Sequence, residues 1–320
     1  MRESTRVWIL VATALVVVGV IAFFIVMGMN KWSFKELDNT MFVTNTYDLD
    51  NEIADISINT DTADLVFDKS TDGKTHIVCY EDEKMQHEVT VTGGTLSIKS
   101  VDMRKWYEHI GVSFKTPKIT ISLPNSAYET LKIKESTGDV DIPADFGFSK
   151  IDINASTGNI NNRASASGEL SIKLSTGDIT VENVSAASTR FETSTGAITV
   201  KSLSCAGEFF VKVSTGKAKL FDINCASFTS EGSTGAITME RLVSDGKLKI
   251  RRSTGNVHFE KCDAAEVFVE TDTGNIQGSF ATPKIVFAKS DTGRIDVPKS
   301  TEGGSCELKS DTGNIIISFE

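Results

Sequence analysis

Several residue types are scarce in this chain, and each shortage closes off a class of protein. Only five of the 320 residues are proline, so there is no proline-rich stalk. Four are histidine (His76, His87, His109 and His258), too scattered to suggest an imidazole pair. Five are cysteine: Cys79, Cys205, Cys225, Cys262 and Cys306. The count is odd and no C-x-x-C occurs, which argues against both a zinc site and a dense disulfide scaffold. The plain reading of these thiols is as small buried hydrophobes. Lys and Arg total 33 against 43 Asp and Glu, a net charge of −10, and the cations form no cluster. Such a chain repels a phosphate backbone, so no nucleic-acid partner is expected.

What the chain has first is one uncharged run of 23 residues, Val7 to Met29. As a helix it would span ~34 Å, enough for a bilayer core of ~30 Å. A cleaved signal peptide has a shorter apolar core and a small-x-small cleavage site, whereas this run ends in Met27, Gly28, Met29 and Asn30. The expectation is a retained single-pass anchor. Arg2 and Arg6 precede it, and Lys31 and Lys35 follow beside Glu36 and Asp38, so the charge rule favours a cytoplasmic N-terminus only weakly. Residues 1–6 then form a cytoplasmic stub, residues 30–50 a juxtamembrane linker, and the rest lies outside the cytoplasm.

The second feature is a repeat. S-T-G or D-T-G recurs ten times, with glycines at 138, 158, 177, 196, 216, 235, 255, 274, 293 and 313, always 19 or 20 residues apart. Two residues after each glycine the side chain is apolar in all ten copies, and five before it in nine of ten, with Ser230 the exception. Polar residues alternate with these, the period-two pattern of strands with one buried face. Units this short cannot bury an apolar face alone and must stack. The fold class expected is all-β: a parallel β-solenoid of 19–20-residue coils, stacked ~4.8 Å apart, behind one N-terminal transmembrane helix. Regular coils fill 131–320. Degenerate coils and an N-terminal cap fill 51–130, with Thr60 to Leu65 aligned to the S-T-G-x-I frame.

Stacking in sequence order makes further expectations. Lys173, Glu192, Lys212, Glu231, Arg251, Glu270 and Lys289 stand four residues before successive glycines, a column of alternating sign. Such pairs contribute little energy each but disfavour a slipped register. Cys205 and Cys225, each nine residues after a repeat glycine, should be stacked neighbours with free buried thiols. Phe268 and Phe287 should be adjacent exposed rings, although a one-residue shift would turn Phe287 inward. Ile316 should add apolar surface to an uncovered last strand, where the rod self-associates or takes a partner strand. Alternatively the return 298–308 folds over that end. Met103, Trp106 and Tyr107 either cap the first coil or bind a partner.

The triplet Asp-Thr-Gly also carries the catalytic carboxylate of aspartic proteases, which need two carboxylates converging on one water. Here Asp272, Asp291 and Asp311 occupy one turn position that holds serine in seven other copies. A structural role explains all ten: a side-chain oxygen accepting a backbone N–H of the turn. No catalytic residue and no cofactor are nominated. The three aspartates are a weak calcium candidate, as a carboxylate ladder with shared oxygens, against turn capping with the charge solvated.

The order "ITISLP" (119–124), "LKIKESTGDVDI" (131–142) and then many S-T-G-D-I coils resembles a bacterial "putative-adhesin" domain of unknown function, found in LiaG-like envelope proteins behind a membrane segment. The resemblance covers the anchor and residues 50 to 320. It implies an extracytoplasmic β-solenoid with adhesion or envelope-stress roles and offers no catalytic motif. The function expected is a membrane-tethered surface adhesion, binding or scaffold module with a protein or glycan partner. A subunit of an envelope-stress sensing complex is the alternative, and an enzyme acting on envelope polysaccharide comes third.

Overall fold

The computed structural model describes residues 3–29, 32, 40–106 and 115–320. Helix α1 (Glu3–Met29) contains the apolar run, and its stretch Thr5–Met29 is long and apolar enough to cross a membrane. A helix is the form such a run must take in lipid, because it pairs its own backbone groups. That makes α1 a candidate membrane span or signal sequence.

The rest of the chain is a parallel β-solenoid of about ten turns. In its centre each coil runs as one long bent strand: β16 (Ile198–Thr215), β17 (Ala218–Thr234), β18 (Ile237–Thr254) and β19 (Val257–Thr273), each parallel to the next. Three corners divide a coil into three faces. One corner is the S/D-T-G turn. The next falls six residues after the glycine, where Asn183, Ser202, Asp222, Arg241 and Lys261 adopt left-handed backbone, φ +51° to +56°. At the third, small residues pack coil on coil: the carbonyls of Ala187, Ala226 and Ala265 lie against Gly207, Gly246 and Gly304.

Inward side chains alternate with outward ones on every face. In β16 they are Ile198, Val200, Leu203, Cys205, Phe209, Val211 and Val213, all buried. Phe191, Phe209 and Phe228 stack through the core with ring centroids 5.8 and 5.2 Å apart. Cys205 pairs in register with Cys225, and all five cysteines are buried free thiols, as the spacing predicts.

The interior is not wholly apolar. Arg252 points inward, into space that Gly232 leaves: a Cβ on Gly232 would lie 1.6 Å from Arg252 Nη1. Arg252 donates to Ser230 Oγ (2.8 Å) and to the Glu231 carbonyl (3.3 Å), while its Nε has no partner. Ser230, the one polar residue in its column, is thus the arginine's partner. Burial pushes the guanidinium down to about 10.

The N-terminal end is closed by antiparallel strands. Strands β2 (Asp55–Thr62) and β3 (Asp64–Lys69) form the degenerate coil, with Thr62 opposite Thr137 and Leu65 opposite Val140. On one face β6 (Thr95–Asp102) adds parallel to β2, and β5 (Met85–Thr92) turns back against β6. On another, β7 (Lys118–Leu123) adds to β3, followed by antiparallel β4 (Thr75–Asp82) and β1 (Phe42–Leu49). Part of the expected linker is therefore strand: Tyr47 and Leu49 alternate inward on β1 and pack on the core. The cap is not made by Met103 and Trp106, which are 56% and 79% exposed. Tyr107 lies outside the described residues.

The C-terminal end departs from sequence order. Strand β23 (Ser305–Thr312), carrying the tenth turn, pairs with β19, carrying the eighth: Thr273 stands opposite Thr312. The ninth turn, on β21 (Ile285–Thr292), pairs with the other side of β23 and ends the rod. Likewise β24 (Ile315–Phe319) lies between β20 (Ile276–Phe280) and β22 (Ile295–Asp296). Backbone approach at Gly303-Gly304 permits this insertion. A Cβ on Gly304 would sit 1.8 Å from the Ala265 carbonyl oxygen, and one on Gly303 1.9 Å from that of Pro283. Lys284 locks the neighbouring segment, with Nζ 2.7 Å from the Ala264 carbonyl and 2.5 Å from Asp263 Oδ1.

Candidate binding surface

The S/D-T-G corner is the most repetitive part of the rod, and its glycine sets the geometry. All ten glycines have φ between +127° and +157°. A Cβ on any of them would lie 1.6–2.2 Å from the carbonyl oxygen of the adjoining coil. Nine of the ten glycine N–H groups, all but that of Gly293 on the last coil, donate to the threonine carbonyl of the adjoining coil, as in Gly196 to Thr215 at 3.0 Å. Only a residue without a side chain admits both contacts.

The side chain that braces this corner is not the serine or aspartate of the triplet, as the turn-capping reading had it. Nine of those ten residues are exposed, and Ser214 is half-buried. The brace is the residue after the glycine. Asp64 Oδ1 accepts the N–H of Asp139, Asp139 that of Asn159, Asn159 that of Asp178, and Asp178 that of Ala197, at 2.7–3.2 Å. The ladder stops at Ala197, whose side chain offers no oxygen. It resumes from Asn256 through Asn275 and Asn314 to Arg294, at 2.8–2.9 Å. The signal was in the sequence as Asp139, Asn159 and Asp178 after three successive glycines, and Asn256, Asn275 and Asn314 after three of the last four.

Beside the turn runs the charge column. Lys173, Glu192, Lys212, Glu231, Arg251 and Glu270 are consecutive register partners, as expected. Two pairs close within ion-pair distance, Lys173–Glu192 at 3.9 Å and Arg251–Glu270 at 3.3 Å. Being exposed, each contributes at most about 1 kcal/mol. The seventh member is displaced. Glu270 meets Lys309, and Lys289 lies beyond it, cation beside cation. Between this column and the turn serines lie two shallow grooves of about 320 and 360 Å³, which share Lys212 and Ser214.

Residues 53–209, from the degenerate coil to the fifth regular one, match the family model described as Toastrack DUF4097. This stretch is a Toastrack domain. No curated protein matches the chain significantly. Among solved structures, a "putative adhesin" of Bacteroides fragilis is 14% identical, with 87% of this chain and 97% of that one covered and a TM-score of 0.44. A "putative adhesin" of Parabacteroides distasonis is 9% identical, with 85% and 98% covered and a TM-score of 0.45. A "putative lipid binding protein" of the same species is 19% identical, with 73% and 94% covered and a TM-score of 0.44. The coils beyond residue 209 repeat the geometry of the Toastrack domain to the end of the rod.

The remaining candidates lie beyond the matched Toastrack stretch. Asp272, Asp311 and Asp291 follow one another in spatial order, not sequence order, and Asp291 pairs with Lys289 at 3.3 Å. Their carboxylates do not converge. Among the described residues the one group of three potential metal ligands lies elsewhere, in the cap. Phe268 and Phe287 both point outward but are not adjacent, because Glu307 stands between them in register. Phe268 is half-buried beneath Arg251 and Lys309, each 5.4 Å from its centroid, whereas Phe287 is 62% exposed. Ile316 does point outward, 38% exposed, but on a strand with a partner on each side, Gln277 and Asp296. The open edge belongs to β21, beside the partly exposed Val286, Val297 and Ile295.

Proposed function

We propose that the chain is a membrane-tethered surface module whose rod stands outside the cytoplasm and binds an extended polar partner along its S/D-T-G corner. The observation that carries this reading is the corner's continuity. Six consecutive coils present alternating cations and anions beside a file of five serine hydroxyls ending in Asp272, and the grooves between them join at Lys212 and Ser214. A site repeated at coil spacing suits a linear polymer of hydroxyl-bearing and charged units, such as an envelope glycan, better than a compact small molecule. The grooves are shallow, so affinity would accumulate over several weak contacts. The anchor in this reading is α1, with its N-terminus cytoplasmic.

The full chain in detergent, applied to an array of envelope glycans, tests the reading. Binding should weaken on charge reversal at Lys212 and Glu231 together, while the melting temperature stays put. An array without hits, or hits indifferent to that double substitution, would sink it. A second reading draws on the unpaired edge of β21. There the rod would associate with another copy, and Phe287→Lys should return such an oligomer to monomer in sedimentation.

A further inference from the structure

The N-terminal cap holds a cluster for which the rod has no structural need. Cys79 and Glu81 point inward from β4 and His87 from β5, and all three are almost wholly buried, at 0%, 0% and 2% exposure. Their ligating atoms, a sulfur, a carboxylate oxygen and a ring nitrogen, lie within 4.8 Å of one another. One thiol, one carboxylate and one imidazole at a single buried point is an expensive arrangement, and apolar side chains like those that fill most of the rod's interior would serve packing better.

The cluster is also incompletely satisfied. Glu81 Oε2 accepts from the His87 backbone N–H at 2.7 Å and lies 2.6 Å from His87 Nδ1, and Glu81 Oε1 accepts from Asn45 Nδ2 at 2.7 Å. His87 Nε2 is buried without any partner. Whichever ring nitrogen carries the proton, one polar atom of the imidazole is left over inside the cap. Among the described residues no lysine or arginine pairs with the Glu81 carboxylate.

We propose that Cys79, Glu81 and His87 bind one divalent transition-metal ion of the zinc class, through the Cys79 sulfur, a Glu81 oxygen and a His87 ring nitrogen. Charge supports this choice. On binding, the Cys79 S–H bond breaks, its proton leaves to solvent and a sulfur–metal bond forms. A thiolate and a carboxylate then balance the ion's two positive charges, so the buried site is neutral. The ligand types suit zinc, whose bonds of about 2.0–2.3 Å place neighbouring ligand atoms ~3–4 Å apart. The three ligand atoms already lie within 4.8 Å of one another, so small side-chain shifts would reach that geometry. Cysteine-pair spacing rules pass over such a site because its ligands come from two strands as C-x-E-x5-H.

Strand β1 gives the ion a way in. It supplies Asn45 to Glu81, and Tyr47 donates through its hydroxyl to the His87 carbonyl at 3.1 Å. Among the described residues β1 pairs on one side only, with β4, so it can lift without breaking the rod. A loaded site would hold β4 to β5 beneath the first strand after α1.

The full chain, purified in detergent, is loaded with zinc, desalted and assayed for metal. The proposal expects about one equivalent per chain, falling below a tenth in Cys79→Ser and in His87→Gln. It also expects a melting temperature several degrees higher with zinc than after chelation. Cobalt loading of the unmodified chain should give the near-ultraviolet absorption of a cobalt–thiolate bond. This decides the matter even if a substituted chain does not fold. Less than a tenth of an equivalent in the unmodified chain, a cobalt spectrum without that band, or full zinc retention by a folded Cys79→Ser protein each overturns the assignment.

Discussion

Replacing Gly216 by alanine should be among the most damaging single-methyl additions available to this fold. The new Cβ would stand 1.8 Å from the Gly196 carbonyl oxygen and 2.8 Å from its carbon. Non-bonded contacts of a Cβ below 3.0 Å are essentially never seen, so the two coils must part locally by more than an ångström. That movement stretches the bonds joining them, from Gly196 N–H to the Thr215 carbonyl (3.0 Å) and from Ile198 N–H to the Lys217 carbonyl (2.9 Å). Each bond lost contributes about 0.5–1.5 kcal/mol. Backbone at φ +139° adds about 1–3 kcal/mol of strain for a residue with a Cβ. The expected cost is roughly 3–5 kcal/mol, with little relief, because Gly216 sits mid-rod with coils on both sides. Chemical denaturation followed by circular dichroism measures it, with two companions for comparison. Gly147→Ala should be near neutral, since its nearest non-neighbour atom would be 3.8 Å away and its φ is negative. Gly293→Ala, on the last coil, should cost less than Gly216→Ala, because that coil can splay outward. If Gly216→Ala unfolds with the wild-type midpoint, or the three rank otherwise, close coil contact does not explain the repeated glycine.

Other substitutions probe the interior and the end of the rod. Burial raises the Glu135 carboxyl to about 8, while Thr60 Oγ1 and the Ala63 N–H bond its Oε1. Its folded value lies above its unfolded one, so stability should fall as pH rises from about 4.5 to 8; Glu135→Gln should flatten that slope in melting curves. Arg252→Ala should cost about 2–4 kcal/mol in denaturation by leaving a void and an unpaired Ser230. Combining Arg252→Val with Ser230→Val should recover most of that loss, and a double variant no better than the single one would refute the pairing. Phe209→Ala, in the middle of the three-ring stack, should cost about 3–5 kcal/mol.

Much of this architecture was legible in the sequence, for a definite reason. One side-chain period and one turn recur ten times, so the inward columns, the charge column to Glu270 and the Cys205–Cys225 neighbours followed from counting. Counting assumes that each coil stacks on the one before. Nothing in the D-T-G spacing distinguishes an inserted tenth coil from an appended one; the clue lay in the Gly303-Gly304 pair, where two backbones had to pass close. That one assumption misplaced Lys289, Phe287 and Ile316 together. A cap was expected within 51–130, but its pairing was hidden for the opposite reason: its antiparallel strands share no period with the coils. The Asn and Asp ladder went unseen because alternation in polarity says nothing about which polar residue braces a corner.

The inserted coil bears on the order in which the rod can be completed. Coils that stack in sequence order can each settle on a finished neighbour as the chain emerges, so assembly keeps pace with synthesis. The ninth coil cannot. When it appears, the surface it rests on in the finished rod, β23 and β24, has not yet been made. It must wait unattached, or pair provisionally with the eighth coil and be displaced when the tenth slides between them. The last forty or so residues are therefore expected to lock as one late unit, with amides of β21 and β23 gaining protection together in pulsed hydrogen exchange. A chain interrupted before β23 would leave the ninth coil without its seat, so the finished end of the rod records that the tenth coil was made.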